Sequence, residues 1–114
     1  NDVKHSKWAQ LTKLSDLVFD AEAQKFAKLQ EEEARLKHQR SRLAEMNADA
    51  LDAFKSVHPS HQLDGDFHWQ TWVGNNASRL GQAQARARAL SEMHKPALRK
   101  AFGRKSVLRD LANK

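Results

Sequence analysis

Apolar residues recur along most of this chain at alternating steps of four and three. Starting at Trp69, the steps reach Val73, Asn76, Leu80, Ala83, Ala87, Leu90, His94, Ala97, Ala101, Arg104, Leu108 and Leu111. Ten of these thirteen positions are apolar, across six heptads. A mean period of 3.5 kept for so long predicts a left-handed coiled coil, not a surface helix on a globule. The N-terminal half offers a partner stripe in Phe26, Leu29, Leu36, Leu43, Ala50, Phe54 and Val57.

Between Ser6 and Lys55 there is neither Pro nor Gly, and Ala, Leu, Glu, Lys, Gln and Arg dominate. These residues lose little side-chain entropy in a helix, so a first helix is expected over about 6–55. Residues 56–66 then collect Ser56, Pro59, Ser60, Asp64, Gly65 and Asp66, the one turn-like cluster. Asp66 is expected to cap a second helix over about 67–111. The expected fold is all-α: residues 1–114 as a single antiparallel coiled coil, a long helical hairpin.

Folding the chain about that turn sets Leu43 against Leu80, Leu36 against Ala87, Phe26 against Ala97, Ala50 against Val73 and Phe54 against Trp69. Large residues then face small ones. Asn47 comes opposite Asn76, and such an amide pair fixes register in coiled coils. Each helix would be roughly 65–70 Å long at about 1.5 Å per residue. Glu22, Glu33 and Arg40 fall at seam positions, and the apolar pattern slips by one between Val18 and Phe26, which reads as a stutter. Pro96 predicts a kink in the second helix. So thin a seam calls for a partner or self-association.

Composition narrows the class. With 39% hydrophobic and 30% charged residues in 114, a large globular core is not expected. No stretch approaches a membrane span and no signal peptide is apparent. The absence of cysteine removes disulfides and thiolate metal sites and suits a reducing cytosol. The chain begins at Asn1 and reads as a segment with residues missing. Residues 1–57 carry ten Lys and Arg against ten Asp and Glu, whereas 58–114 carry ten against four and supply the whole +6. One basic face should seek an acidic partner.

That face is expected to contain Arg88, Lys95, Arg99, Lys100, Arg104, Lys105 and Arg109; its alternative is a solvated face paired with Asp20, Glu31, Glu32 and Glu33. Trp72 lies off the seam, as a contact anchor or as a cap over the helix edge. Trp69 is assigned to the seam, and His94 reads as a partly buried coil residue. The turn group His58, His61, Asp64, Asp66 and His68 lacks metal-ligand spacing. No cofactor or metal is expected. No nucleophile, phosphate loop or enclosing pocket is recognisable, so the chain is read as a binding protein and not an enzyme. Nucleic acid is disfavoured as a partner, since no stacking aromatics sit among the arginines and no reading helix is evident.

The architecture, and the tail Leu98-Arg99-Lys100-Ala101-Phe102-Gly103-Arg104-Lys105-Ser106-Val107-Leu108, resemble the FliJ-like family, in particular its short alphaproteobacterial members. These are the stalk proteins of flagellar and virulence type III export ATPases. Pro96 and the Trp69/Trp72 pair depart from the family's commoner pattern. The resemblance implies a cytoplasmic, non-enzymatic rod, peripheral to the inner membrane through the export apparatus. It would bind the export ATPase ring, the export gate and export chaperones. On that reading, charge and position point to Arg88, Lys95, Arg99, Arg104 and Arg109 as the ring contacts and to the Trp72 region as the gate contact. A self-associating coiled-coil adaptor or chaperone is the other reading that the residues leave open.

Overall fold

The computed structural model describes the backbone of residues 2–56 and 59–114 and the side chains of 3–56 and 65–114. It contains two α-helices of 54 residues each, α1 (Asp2–Lys55) and α2 (Pro59–Ala112). No strand occurs among the described residues. The fold is all-α, two long antiparallel helices forming a hairpin. The chain divides into two compact units: unit 1 is Asn1–Gln30 with Ala89–Lys114, and unit 2 is Glu31–Arg88.

The connection is shorter than the expected 56–66 turn. α2 already begins at Pro59, where a fixed φ suits the first helical turn and the missing N–H costs nothing. Asp66 is therefore not the cap of α2. It sits inside the helix, its Oδ1 accepting from Gln70 Nε2 at 3.5 Å. Val57 and His58, and the side chains of His61 and Asp64, lie outside the described residues. α2 continues unbroken through Pro96.

In unit 1 the inward positions of α1 are Trp8, Thr12, Ser15, Phe19, Glu22, Phe26 and Leu29. In unit 2 they are Glu33, Leu36, Leu43, Asn47, Ala50 and Phe54. All fall on one series of alternating steps of four and three. The stutter expected between Val18 and Phe26 is thus absent: Phe19 takes the seam and Val18 is 41% exposed.

The slip occurs in α2 instead. Unit 2 uses the expected positions Trp69, Val73, Asn76, Leu80, Ala83 and Ala87. Unit 1 uses Ser91, His94, Leu98, Ala101, Lys105 and Leu108. Leu90, expected on the seam, is 52% exposed, while Ser91 is 2% exposed. Ala97, Arg104 and Leu111 likewise face out. Two successive steps of four, Ala83–Ala87–Ser91, make the stutter. Serine is accepted because its bulk is small and its hydroxyl has a partner: Gln30 Nε2 donates to Ser91 Oγ at 3.3 Å.

Polar and aromatic contacts tie the helices within each unit. In unit 1, Phe26 stacks on His94 (centroids 6.5 Å apart, 15° between planes) in place of the expected Ala97. His94 Nε2 lies 2.9 Å from Glu22 Oε2 and 3.0 Å from the Glu22 carbonyl. Phe19 meets Phe102 at 5.8 Å, and Lys105 Nζ sits 4.5 Å from the Phe19 ring centroid. In unit 2 the expected Asn47–Asn76 pair does not form. Asn47 Oδ1 accepts from Trp69 Nε1 at 2.8 Å and Gln70 Nε2 at 3.1 Å. Asn76 Nδ2 instead donates to the Trp72 carbonyl at 2.8 Å, and its Oδ1 accepts from Arg79 at 2.7 Å. The indole is the longer donor and reaches across the seam where two short amides do not. Phe54 lies over Gly65, where a Cβ would meet the ring at 3.2 Å.

Among the described residues the buried apolar ones are few: Leu36, Leu43, Ala87 and Ala101. Each buried Leu is worth about 1.5–3 kcal/mol. An exposed ion pair such as Arg35–Glu32, whose hydrogen bond lowers the Glu32 pKa, adds little to stability. The seam therefore decides stability. Ser91→Glu should cost about 2–3 kcal/mol by forcing a carboxylate into it, lowering the melting temperature by about 10–20 °C. Leu90→Glu should shift the melt by only a few degrees. Circular dichroism melts check this, and a larger loss for Leu90→Glu would return the seam to its expected phase.

Candidate partner-binding surface

Unit 1 holds 12 of the 20 Lys and Arg but only 6 of the 14 Asp and Glu, so its formal charge of +6 equals that of the whole chain. Unit 2 holds eight of each and is neutral. Exposed large apolar side chains gather in the same place. Of the fourteen among the described residues, ten belong to unit 1: Val3, Leu11, Leu14, Leu17, Val18, Leu90, Met93, Phe102, Val107 and Leu111. Single exposed apolar residues are ordinary; a contiguous set marks an interface.

Several of them are contiguous. Leu11, Leu14 and Val18 on α1, with Val107 and Leu108 on α2, wall a groove of about 590 Å³ floored by Ser15 and Ala101. Lys100 and Arg104 stand at its side.

The seam phase assigns this groove to one flank of unit 1. On α1 the outward positions one residue before each seam position are Lys4, Lys7, Leu11, Leu14, Val18, Ala21, Lys25 and Lys28. The equivalent positions of α2 are Leu90, Met93, Ala97, Lys100, Arg104, Val107 and Leu111. In an antiparallel pair these two rows border the same side of the seam. Nine of the fifteen residues are apolar, six are Lys or Arg, and none is acidic. Acids lie on the opposite flank, where Asp16 approaches Arg109. That contact, 3.6 Å, is an ion pair and not a hydrogen bond, and Asp16 Oδ1 is buried without a hydrogen-bond partner.

The expected basic face divides accordingly. Lys95 pairs with Glu92 at 2.8 Å, Arg109 with Asp16, and Lys105 is held over Phe19. Arg88, Arg99, Lys100 and Arg104 are exposed. Arg99, Lys100 and Arg104 form no ion pair among the described residues. Glu32 pairs within α1, with Arg35, and not with α2.

Trp72, in unit 2, is 47% exposed and stacks on Trp69 (centroids 5.2 Å apart, 27° between planes). With Met46, Leu43, Leu80, Arg42 and Arg79 it borders a second groove of about 480 Å³. His68 is exposed beside Phe67. No group of three metal-ligating side chains occurs among the described residues, and no helix is long and apolar enough to cross a membrane. The groove of unit 1 escaped sequence reading because Arg104 and Leu90 were placed on the seam; correcting the phase exposes the flank.

Comparison with protein-family models, with curated proteins and with solved structures finds no match for this chain.

An anionic naphthalene dye should brighten on binding the groove of unit 1. Leu14→Glu with Val107→Glu should remove most of that signal, about tenfold, while leaving helicity intact, because both side chains are already more than half exposed. An undiminished signal in the double variant would place the dye-binding surface elsewhere.

Proposed function

We propose that this chain is a non-enzymatic binding protein of the stalk and escort type, acting in a flagellar or virulence type III export apparatus. Its partners in this reading are the export ATPase ring, the export gate and export chaperones. One observation carries it: unit 1 concentrates the entire net charge and most of the exposed apolar side chains on a body only two helices thick. A narrow cationic body with an uncovered apolar flank suits insertion among acidic partner surfaces. Arg99, Lys100 and Arg104, which form no ion pair among the described residues, are the cations proposed to meet the ring. Lys95 is paired with Glu92 along α2, while Lys105 and Arg109 reach Phe19 and Asp16 of α1. The exposed Trp72 of unit 2 is the counterpart contact for the gate.

A self-associating adaptor draws on the same groove, but two copies would bring cationic flanks together. Mass measurement in solution separates the two readings.

ATP hydrolysis by the cognate export ATPase should rise severalfold when this chain is added. Arg99→Glu with Lys100→Glu and Arg104→Glu should remove that rise by about tenfold or more, as expected when several interfacial charges are reversed. The absence of both stimulation and co-purification with the ATPase would overturn the proposal.

A further inference from the structure

The groove flank of unit 1 has a composition that selects its occupant. Its floor and walls are apolar, its only charged groups are cationic, and no acid is within its fifteen positions. On α1 the order is lysine, apolar, lysine: Lys4 and Lys7, then Leu11 to Ala21, then Lys25 and Lys28. Two antiparallel helices with a trough between them seat a third helix, whose side-chain ridge fills the trough while its own flanks meet the rims.

We infer that this flank docks one acidic amphipathic helix of a partner protein, with Leu11, Leu14, Val18 and Val107 taking its apolar ridge and Lys100 and Arg104 its carboxylates. The flank extends over 25 residues of α1, so the matching helix spans roughly 36 Å at about 1.5 Å per residue.

Charge and shape exclude the competing occupants. A second copy meeting this flank by two-fold symmetry would set lysines against lysines with no acid to offset them. An anionic lipid surface would satisfy the cations, but the apolar residues line a concave groove and not a projecting ridge, so a flat surface leaves the walls uncovered. Of the acids of unit 1, Asp16 is turned to Arg109, and Glu22 is shared between His94 and the rim lysine Lys25 at 3.7 Å. Lys100 and Arg104, beside the groove, form no ion pair among the described residues and are the cations open to an acidic partner.

The inference rests on the reading of this chain as a binding protein, and does not require the export apparatus. Its test uses the full chain and three probes. The first is a helical peptide of about 25 residues, with Leu along one face and Glu on both margins; the second has Lys in place of each Glu; the third is vesicles of anionic phospholipid. Methyl NMR of the full chain reports the site. The Glu peptide should shift the methyl signals of Leu11, Leu14, Val18 and Val107 and leave those of Leu36 and Leu43 unmoved. It should bind at least about tenfold more tightly than the Lys peptide, and Lys100→Glu with Arg104→Glu should abolish that preference. Leu14→Glu should weaken the Glu peptide by about tenfold as well. Equal binding of the two peptides overturns the inference, as do shifts centred on unit 2. So does vesicle binding that moves the same methyls when the Glu peptide does not, or a dimer that buries them with no peptide present. None of these results depends on ATPase stimulation, so the inference and the export proposal fail separately.

Discussion

Two helices lying side by side share one line of contact, and only side chains on that line leave water on both sides. Everything else about this chain follows from that geometry. With 39% of its residues hydrophobic, the chain has more apolar groups than one seam accepts. The buried apolar set among the described residues consists of Leu36, Leu43, Ala87 and Ala101. At about 1.5–3 kcal/mol for each large side chain, such a seam sustains a fold but leaves little in reserve. Surplus leucines and valines must face outward, and their position determines what the molecule can bind.

The seam also admits polar groups, some partnered across it and some along their own helix. Ser91 with Gln30, His94 with Glu22, and Asn47 with Trp69 are of the first kind, Ser15 and Asn76 of the second. Such contacts add modestly to stability, since water competes for every one of these groups. Their larger effect is on register. A shift of α2 by one residue would leave the Trp69 indole without its acceptor and drive Leu90 toward Phe26 and Leu29. A buried polar pair that tolerates one alignment and penalises its neighbours is how thin coiled coils stay specific.

Fold class, hairpin topology and the seam of unit 2 were legible in the sequence, because Leu36, Leu43, Leu80 and Ala87 are large or small apolar residues repeating at 3.5. The seam of unit 1 was not. A count of apolar letters prefers Leu90, Ala97 and Arg104 to Ser91, Leu98 and Lys105 by hydrophobicity alone. The structure prefers the second set because serine is small and partnered, and because the stem of Lys105 reaches back to put its ammonium over Phe19. The same error hid the binding surface. Arg104 on the seam reads as an imperfection, whereas one position outward it stands beside an open apolar groove. The net charge of +6 was correctly tied to α2, but its segregation into unit 1 depends on which part of α1 folds back beside it, and no local pattern encodes that. The length of the connection is not legible either, since Pro59 reads as a turn residue and serves equally as the first residue of a helix.

Charge and exposed apolar surface thus coincide on one unit, while the other is neutral and carries fewer of the exposed large apolar side chains. Hydrogen–deuterium exchange of the full chain, alone and with its cognate export ATPase, tests this division of labour most directly. The account predicts slowed exchange concentrated in residues 8–22 and 97–112, with 31–56 and 65–88 unchanged. Protection confined to unit 2, with the groove of unit 1 exchanging as freely as before, would contradict it.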